Sequence, residues 1–205
     1  MELNVCFLRH GETLLNELKK NQGWIDSDLT DTGKKLLKKT YKQKKLPKFD
    51  AVYCSDLNRA METLKFIEPE LELVSTAKIV YSKLLRERFL GSFEGDDLVE
   101  NRLFLSQKEH YKDFEEFMNQ NTFWDFLDIT KKHDPLLLAE NFSEFSVRID
   151  SIVADIIKEG KKYNHKNILV VSHANTIKYM IEKIAGVEYT KSIKNGKIIE
   201  LIIDI

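Results

Sequence analysis

Asn4-Val5-Cys6-Phe7-Leu8 reads as a short buried strand that stops at Arg9-His10-Gly11-Glu12-Thr13. A cation, an imidazole and a glycine continue a strand poorly but suit a ligand site. The arrangement recurs late in the chain, where Ile168-Leu169-Val170-Val171-Ser172 delivers His173 ahead of a helical pattern. Ligands of α/β proteins bind just beyond the carboxyl ends of parallel strands. Two strands that each present a histidine there are hard to explain by core packing, so they read as halves of one site.

Other elements fit the same plan. Strand-like runs fall at Asn4–Leu8, Ala51–Cys54, Lys78–Tyr81, Ile168–Ser172 and Ile198–Ile203. Helical patterns lie between most of them, at Thr32–Lys45, Leu57–Glu68, Phe142–Tyr163 and Thr176–Ala185. This alternation predicts an α/β/α sandwich around a mostly parallel sheet. Ser55 or Asp56 is expected to cap the helix at Leu57, Gly186 to stop the last helix, and Asn195-Gly196 to turn the chain into the last strand.

Between Asp96 and Asn141 the alternation is lost, and aromatic residues mix with charges (Phe104, Tyr111, Phe114, Phe117, Phe123, Trp124, Phe126). Phe114, Phe117 and Met118 recur at helical spacing, so the expectation is an inserted helical pair with its own small core. Such an insertion can also cap a site and select substrates. At 205 residues the chain fits one domain carrying that insertion. Eight lysines and no acid lie between Lys34 and Lys48, and an apolar stripe beside them marks a solvated amphipathic helix.

The formal net charge of −1, from 32 basic and 33 acidic side chains, gives no reason to expect a nucleic-acid partner. Cys6 and Cys54 fall in buried strands and read as small core residues, with no metal-ligand spacing around them. No signal pattern or membrane-length apolar run is present, which predicts a soluble, cytoplasmic protein.

Several residues fall just past strand ends. Arg9 offers a permanently charged fork suited to phosphate or carboxylate. Arg59 enters the first turn of a helix, whose N-terminus favours anions. Glu87 lies in Leu85-Arg86-Glu87-Arg88, beyond the strand near Val80. Two arginines, two histidines and a carboxylic acid suggest a pocket for a tetrahedral dianion with an acid beside it. A metal site at His10 and Glu12 lacks a third ligand motif, and Ser172-His173 lacks a nucleophile-elbow pattern.

These motifs resemble the histidine phosphatase superfamily, with its phosphoglycerate mutase-like fold. Leu8-Arg9-His10-Gly11-Glu12-Thr13 is similar to the family signature, with Asn16, Gln22-Gly23, Asp28-Leu29-Thr30 and Gly33 following it. Ser55-Asp56-Leu57-Asn58-Arg59-Ala60 with Thr63 resembles the second motif. Leu85-Arg86-Glu87 with Gly91 and Glu94-Gly95 resembles the acid-bearing one. Ala139-Glu140-Asn141 with Arg148 resembles a degenerate Gly-Glu-Ser segment in which Asn141 replaces the serine. Ser172-His173 closes the set, with Ala174 where many relatives carry glycine.

The resemblance implies that His10 is a phosphorylated nucleophile, that Arg9, Arg59 and His173 hold the phosphoryl group, and that Glu87 is the general acid. It implies substrate contacts from Thr13, Asn16, Gln22, Gly23 and Ala174. Fixed cations can stabilise a transferring phosphoryl group without a metal, so neither metal nor cofactor is expected. The expected activity is hydrolysis of a small phosphate ester. Gly91-Ser92-Phe93-Glu94-Gly95 resembles the phosphatase version of its motif more than the mutase version. A mutase, or a silent phosphate-binding module, is the alternative.

Overall fold

A computed structural model describes residues 1–205. The chain folds as two compact units. The first comprises Met1–Thr13, Ser27–Glu87 and Arg148–Ile205, and the second comprises Leu14–Asp26 and Arg88–Val147.

The first unit is built on a five-stranded sheet of order β3-β2-β4-β1-β5. Its strands are β1 (Glu2–Arg9), β2 (Phe49–Ser55), β3 (Leu73–Ser82), β4 (Asn167–Ser172) and β5 (Ile198–Asp204). β5 runs antiparallel to β1, and every other pairing is parallel. Each predicted strand is present, but β3 is longer than its apolar run suggested. As an edge strand it leaves Val80 and Tyr81 exposed and needs no continuous apolar face.

Alternation along the strands divides the side chains between two faces. Cys6 and Leu8 of β1, Val52 and Cys54 of β2, and Leu169 and Val171 of β4 form one core. Leu37 of α2 (Asp31–Gln43) and Ala60, Leu64 and Ile67 of α3 (Asn58–Ile67) join that core. On the other face Gly160 of α7 (Phe142–Tyr163) lies against Leu3; a Cβ there would come within 3.3 Å of the leucine methyl. Tyr179 of α8 (Ala174–Ala185) donates from its hydroxyl to Asp150 of α7 at 3.0 Å. Both cysteines are buried core residues, and burial pushes the Cys6 thiol up to about 12. No helix is long and apolar enough to cross a membrane.

Gly186 ends α8 in the left-handed region, and Gly196 turns the chain at φ 69° ahead of β5, as expected. The expected cap of α3 is absent. Leu57 is the N-cap residue and makes no side-chain cap bond, because Asp56 is committed to Arg86. Ser55 meanwhile accepts from the Leu57 N–H at 3.3 Å.

In the second unit, α1 (Leu14–Glu17) precedes α4 (Leu98–Lys108), α5 (Phe114–Gln120) and α6 (Phe123–His133). The insertion therefore holds three helices rather than a pair. Asp97, Asp113 and Thr122 cap them in turn, Thr122 with Asp125 in a full capping box. They pack Leu105, Phe117 and Phe126 with Leu90 and Phe93 into a separate core. Glu94 accepts N–H bonds from Gly23 at 3.0 Å, Trp24 at 2.8 Å and Leu90 at 3.0 Å, which ties the Gln22-Gly23 loop to this unit.

Candidate active site

β1 and β4 are adjacent and parallel, with Arg9 in register with Ser172. The next residues on each strand are therefore side by side, and the His10 N–H donates to the Ser172 carbonyl at 3.0 Å. The two imidazole rings lie 5.1 Å apart between centroids, tilted by 56°. Both histidines are buried. His10 Nδ1 is 2.7 Å from the Gly11 carbonyl. A carbonyl can only accept, so Nδ1 carries the proton and Nε2 of the neutral ring carries the lone pair. His173 Nε2 is 2.8 Å from Ser55 Oγ at the end of β2.

Arg59 enters from the first turn of α3 and is fully buried. Thr63, one turn on, donates to the Arg59 carbonyl at 2.7 Å and accepts from the Gly11 N–H at 2.9 Å. One hydroxyl thus joins the start of α3 to the loop after β1. Arg9 donates from Nη1 to the Ile193 carbonyl at 2.6 Å.

Glu87 follows β3 on a loop held by its main chain. Arg148 of α7 donates from Nη1 to the carbonyls of Leu84 and Arg86, both at 2.9 Å, and from Nη2 to that of Glu87 at 3.2 Å. Ser172 and Thr176 hydroxyls donate to the Leu85 and Arg86 carbonyls, both at 2.7 Å. Arg86 grips Asp56 with two 2.7 Å bonds. The Glu87 carboxylate accepts from the Asn175 N–H at 3.1 Å, in the first turn of α8. Arg9, His10, Arg59, Glu87 and His173 are thus brought to the carboxyl end of one sheet.

The electrostatics of this cluster favour an anion. Burial, followed by the charges of Arg59 and Arg9, holds His10 well below the usual histidine range. His173 is depressed by burial and then by Arg59, His10 and Arg9. Burial and Arg59 also push Arg9 down to about 10, against the pull of Glu87, which leaves it cationic at neutral pH. Both imidazoles are therefore neutral near pH 7, beside guanidinium groups that repel each other until an anion lies between them.

The depressed histidines set a pH dependence of stability. Below the unfolded pKa of about 6.5 the unfolded chain takes up protons that the native site refuses, so stability is complete above that pH and is lost as pH falls. Urea unfolding between pH 8 and pH 5 should show a decline below about 6.5, up to about 1.4 kcal/mol per pH unit for each histidine. His173→Gln should flatten that slope. A pH-independent stability across this range contradicts the assignment.

Of the remaining candidates, Thr13 is buried in the first unit, bridged to Leu29, and Ala174 is the first residue of α8. Asn16 lies on α1, and Gln22 and Gly23 follow it in the second unit, where a Cβ at Gly23 would collide with the Glu94 carboxylate and the Arg88 carbonyl. The chemistry of the residues did not mark Ser55 or Asn195 as site residues or Arg148 as the clamp of the Glu87 loop. Each acts through hydrogen bonds across more than 60 positions, which no local pattern encodes.

Residues 5–203 match the family model described as histidine phosphatase superfamily, branch 1. The chain belongs to that superfamily. A probable phosphatase of Schizosaccharomyces pombe is 38% identical over 112 residues, 53% of this chain and 52% of the relative. A Hydrogenobacter thermophilus protein provisionally named phosphoserine phosphatase 2 is 30% identical over 183 residues, covering 88% of this chain and 77% of the relative. The crystal structure of a phosphoglycerate mutase from Bacillus anthracis matches with a TM-score of 0.87 at 29% identity, over 98% of this chain and 88% of that one. The histidine phosphatase fold of this chain is thus shared with proteins named as phosphatases and with proteins named as mutases.

Proposed function

We propose that this histidine phosphatase superfamily member hydrolyses a small phosphorylated metabolite through a phosphohistidine at His10, with Glu87 as general acid and no metal. The observation that carries the reading is the hydrogen bond from His10 Nδ1 to the Gly11 carbonyl, which leaves Nε2 as a neutral nucleophile beside Arg9 and Arg59. In the first step Nε2 attacks phosphorus, the N–P bond forms and the ester P–O bond breaks, and the leaving oxygen takes a proton from Glu87. In the second, water attacks phosphorus, the Glu87 carboxylate takes its proton, and the N–P bond breaks to restore neutral His10. Arg9, Arg59 and His173 stabilise the charge on the equatorial oxygens in both steps.

Glu87→Gln separates the two roles of the acid. With an alkyl phosphate, whose leaving oxygen needs the proton, kcat should fall by about 10²–10⁴. With p-nitrophenyl phosphate the leaving group needs no proton, so the first step should survive as a burst of nitrophenol followed by slow turnover. Equal losses on both substrates, with no burst, would contradict the assignment.

The likeness to the Bacillus anthracis phosphoglycerate mutase supports a second reading, phosphoryl transfer between two positions of a phosphoglycerate. A phosphate-release panel over phosphorylated metabolites, with chelator present and a 3-phosphoglycerate mutase assay beside it, separates them. Chelator-resistant phosphate release with no mutase turnover is the result expected. Mutase turnover without net release favours the second reading, and loss of activity on chelation overturns the metal-free mechanism.

A further inference from the structure

The segment Ile193–Lys197, between α8 and β5, makes no contact with phosphate in the mechanism above, yet its bonds converge on Arg9, His10 and Gly11. The Arg9 N–H donates to the Lys197 carbonyl at 3.1 Å, and the Gly196 N–H is shared between the carbonyls of Arg9 and His10, both at 3.1 Å. Asn195 adds its side chain. Its Nδ2 donates to the His10 carbonyl at 3.2 Å and to the Gly11 carbonyl at 3.3 Å. Both partners are carbonyls, so the amide must face them with its NH₂ group and not its oxygen.

The Gly11 carbonyl is also the acceptor for His10 Nδ1. Its position decides which ring nitrogen holds the proton, and so which holds the lone pair. We infer that Asn195 is a positioning residue that fixes the tautomer of His10 by anchoring the Gly11 carbonyl. This rests on the reading of His10 as the nucleophile. The device parallels the outer hydrogen bonds that orient a metal-ligating histidine, except that the ring here is readied to attack phosphorus. When the N–P bond forms at Nε2 the ring becomes cationic, and the same carbonyl then faces a stronger donor. An anchored Gly11 carbonyl therefore serves the phosphoenzyme as well as the free site.

Removing the amide leaves each carbonyl one partner, Gly196 N–H for His10 and the imidazole for Gly11. Asn195→Ala should therefore fold, with the loss concentrated in the orientation of the ring. With histidine labelled in ¹⁵N, long-range ¹H–¹⁵N spectra of the full chain report the tautomer directly. In the native protein His10 should give a single species protonated at Nδ1. In Asn195→Ala an Nε2–H species should appear, and kcat should fall about tenfold while KM stays within about twofold. Asn195→Asp, which sets a carboxylate oxygen against two carbonyls, should shift the tautomer further and is read in the same way.

Unaltered His10 spectra in both variants, or a spectral change with kcat intact, overturn the inference. Native protein that turns over substrate with no phosphate on His10 overturns instead the functional reading beneath it.

Discussion

His10→Gln will remove turnover of every phosphate ester while leaving the phosphate pocket in place. Glutamine keeps an amide near the position of the ring but offers no lone pair able to attack phosphorus. Loss of an essential nucleophile costs about 10⁴–10⁶ in kcat where catalysis is covalent. Arg9, Arg59 and His173 remain, so inorganic phosphate should still raise the melting temperature, with its Kd within about threefold of the native value. The variant should also lose part of the acid sensitivity of the fold, because one buried imidazole no longer resists protonation. A variant that retains a tenth of native activity would show that His10 is not the attacking group.

Arg59→Met should separate function from stability in the opposite direction. Arg59 is among the largest fully buried side chains of the molecule, and its charge lowers the proton affinity of Arg9, His10 and His173. Methionine keeps most of the buried volume and removes the repulsion between this charge and the Arg9 guanidinium. The expected melting temperature without ligand is therefore equal to or above that of the native protein. Activity should fall by about 10³ or more, the scale on which a cationic group stabilising a phosphoryl transition state contributes. Inorganic phosphate, which should stabilise the native protein, should no longer do so. A variant that keeps phosphate-induced stabilisation would place the anion elsewhere.

The ends of β1 and β4 were legible because function interrupts the strand pattern there. A run of buried residues that terminates in Arg9-His10-Gly11, or in Ser172-His173, breaks the alternation that packing alone would continue. Arg59 and Glu87 were legible as charges set just past strand ends. The supports of these residues were not. Arg148 serves three carbonyls of the Glu87 loop, a role that neither its place on an amphipathic helix nor its match to the family segment conveys. Asn195-Gly196 gives the signal of a turn and is one, but the second use of the Asn195 side chain depends on β5 lying beside β1. Asp56 carries the mark of a helix cap, and tertiary pairing with Arg86 overrides that local preference. The first of the three insertion helices, α4, exposes Val99, Leu103 and Phe104 and buries Asn101 and Ser106, so its periodicity carries no clean stripe.

The central claim is a covalent one, a phosphoryl group carried on His10 Nε2. Rapid quenching of the native protein during turnover of a ³²P-labelled ester, followed by digestion under alkaline conditions and mass spectrometry, reads it directly. The account predicts one acid-labile, alkali-stable phosphate on the peptide containing His10, on Nε2, formed and lost at rates that match turnover and absent from His10→Gln. Sustained turnover with no label on His10, or label on another residue, would contradict it.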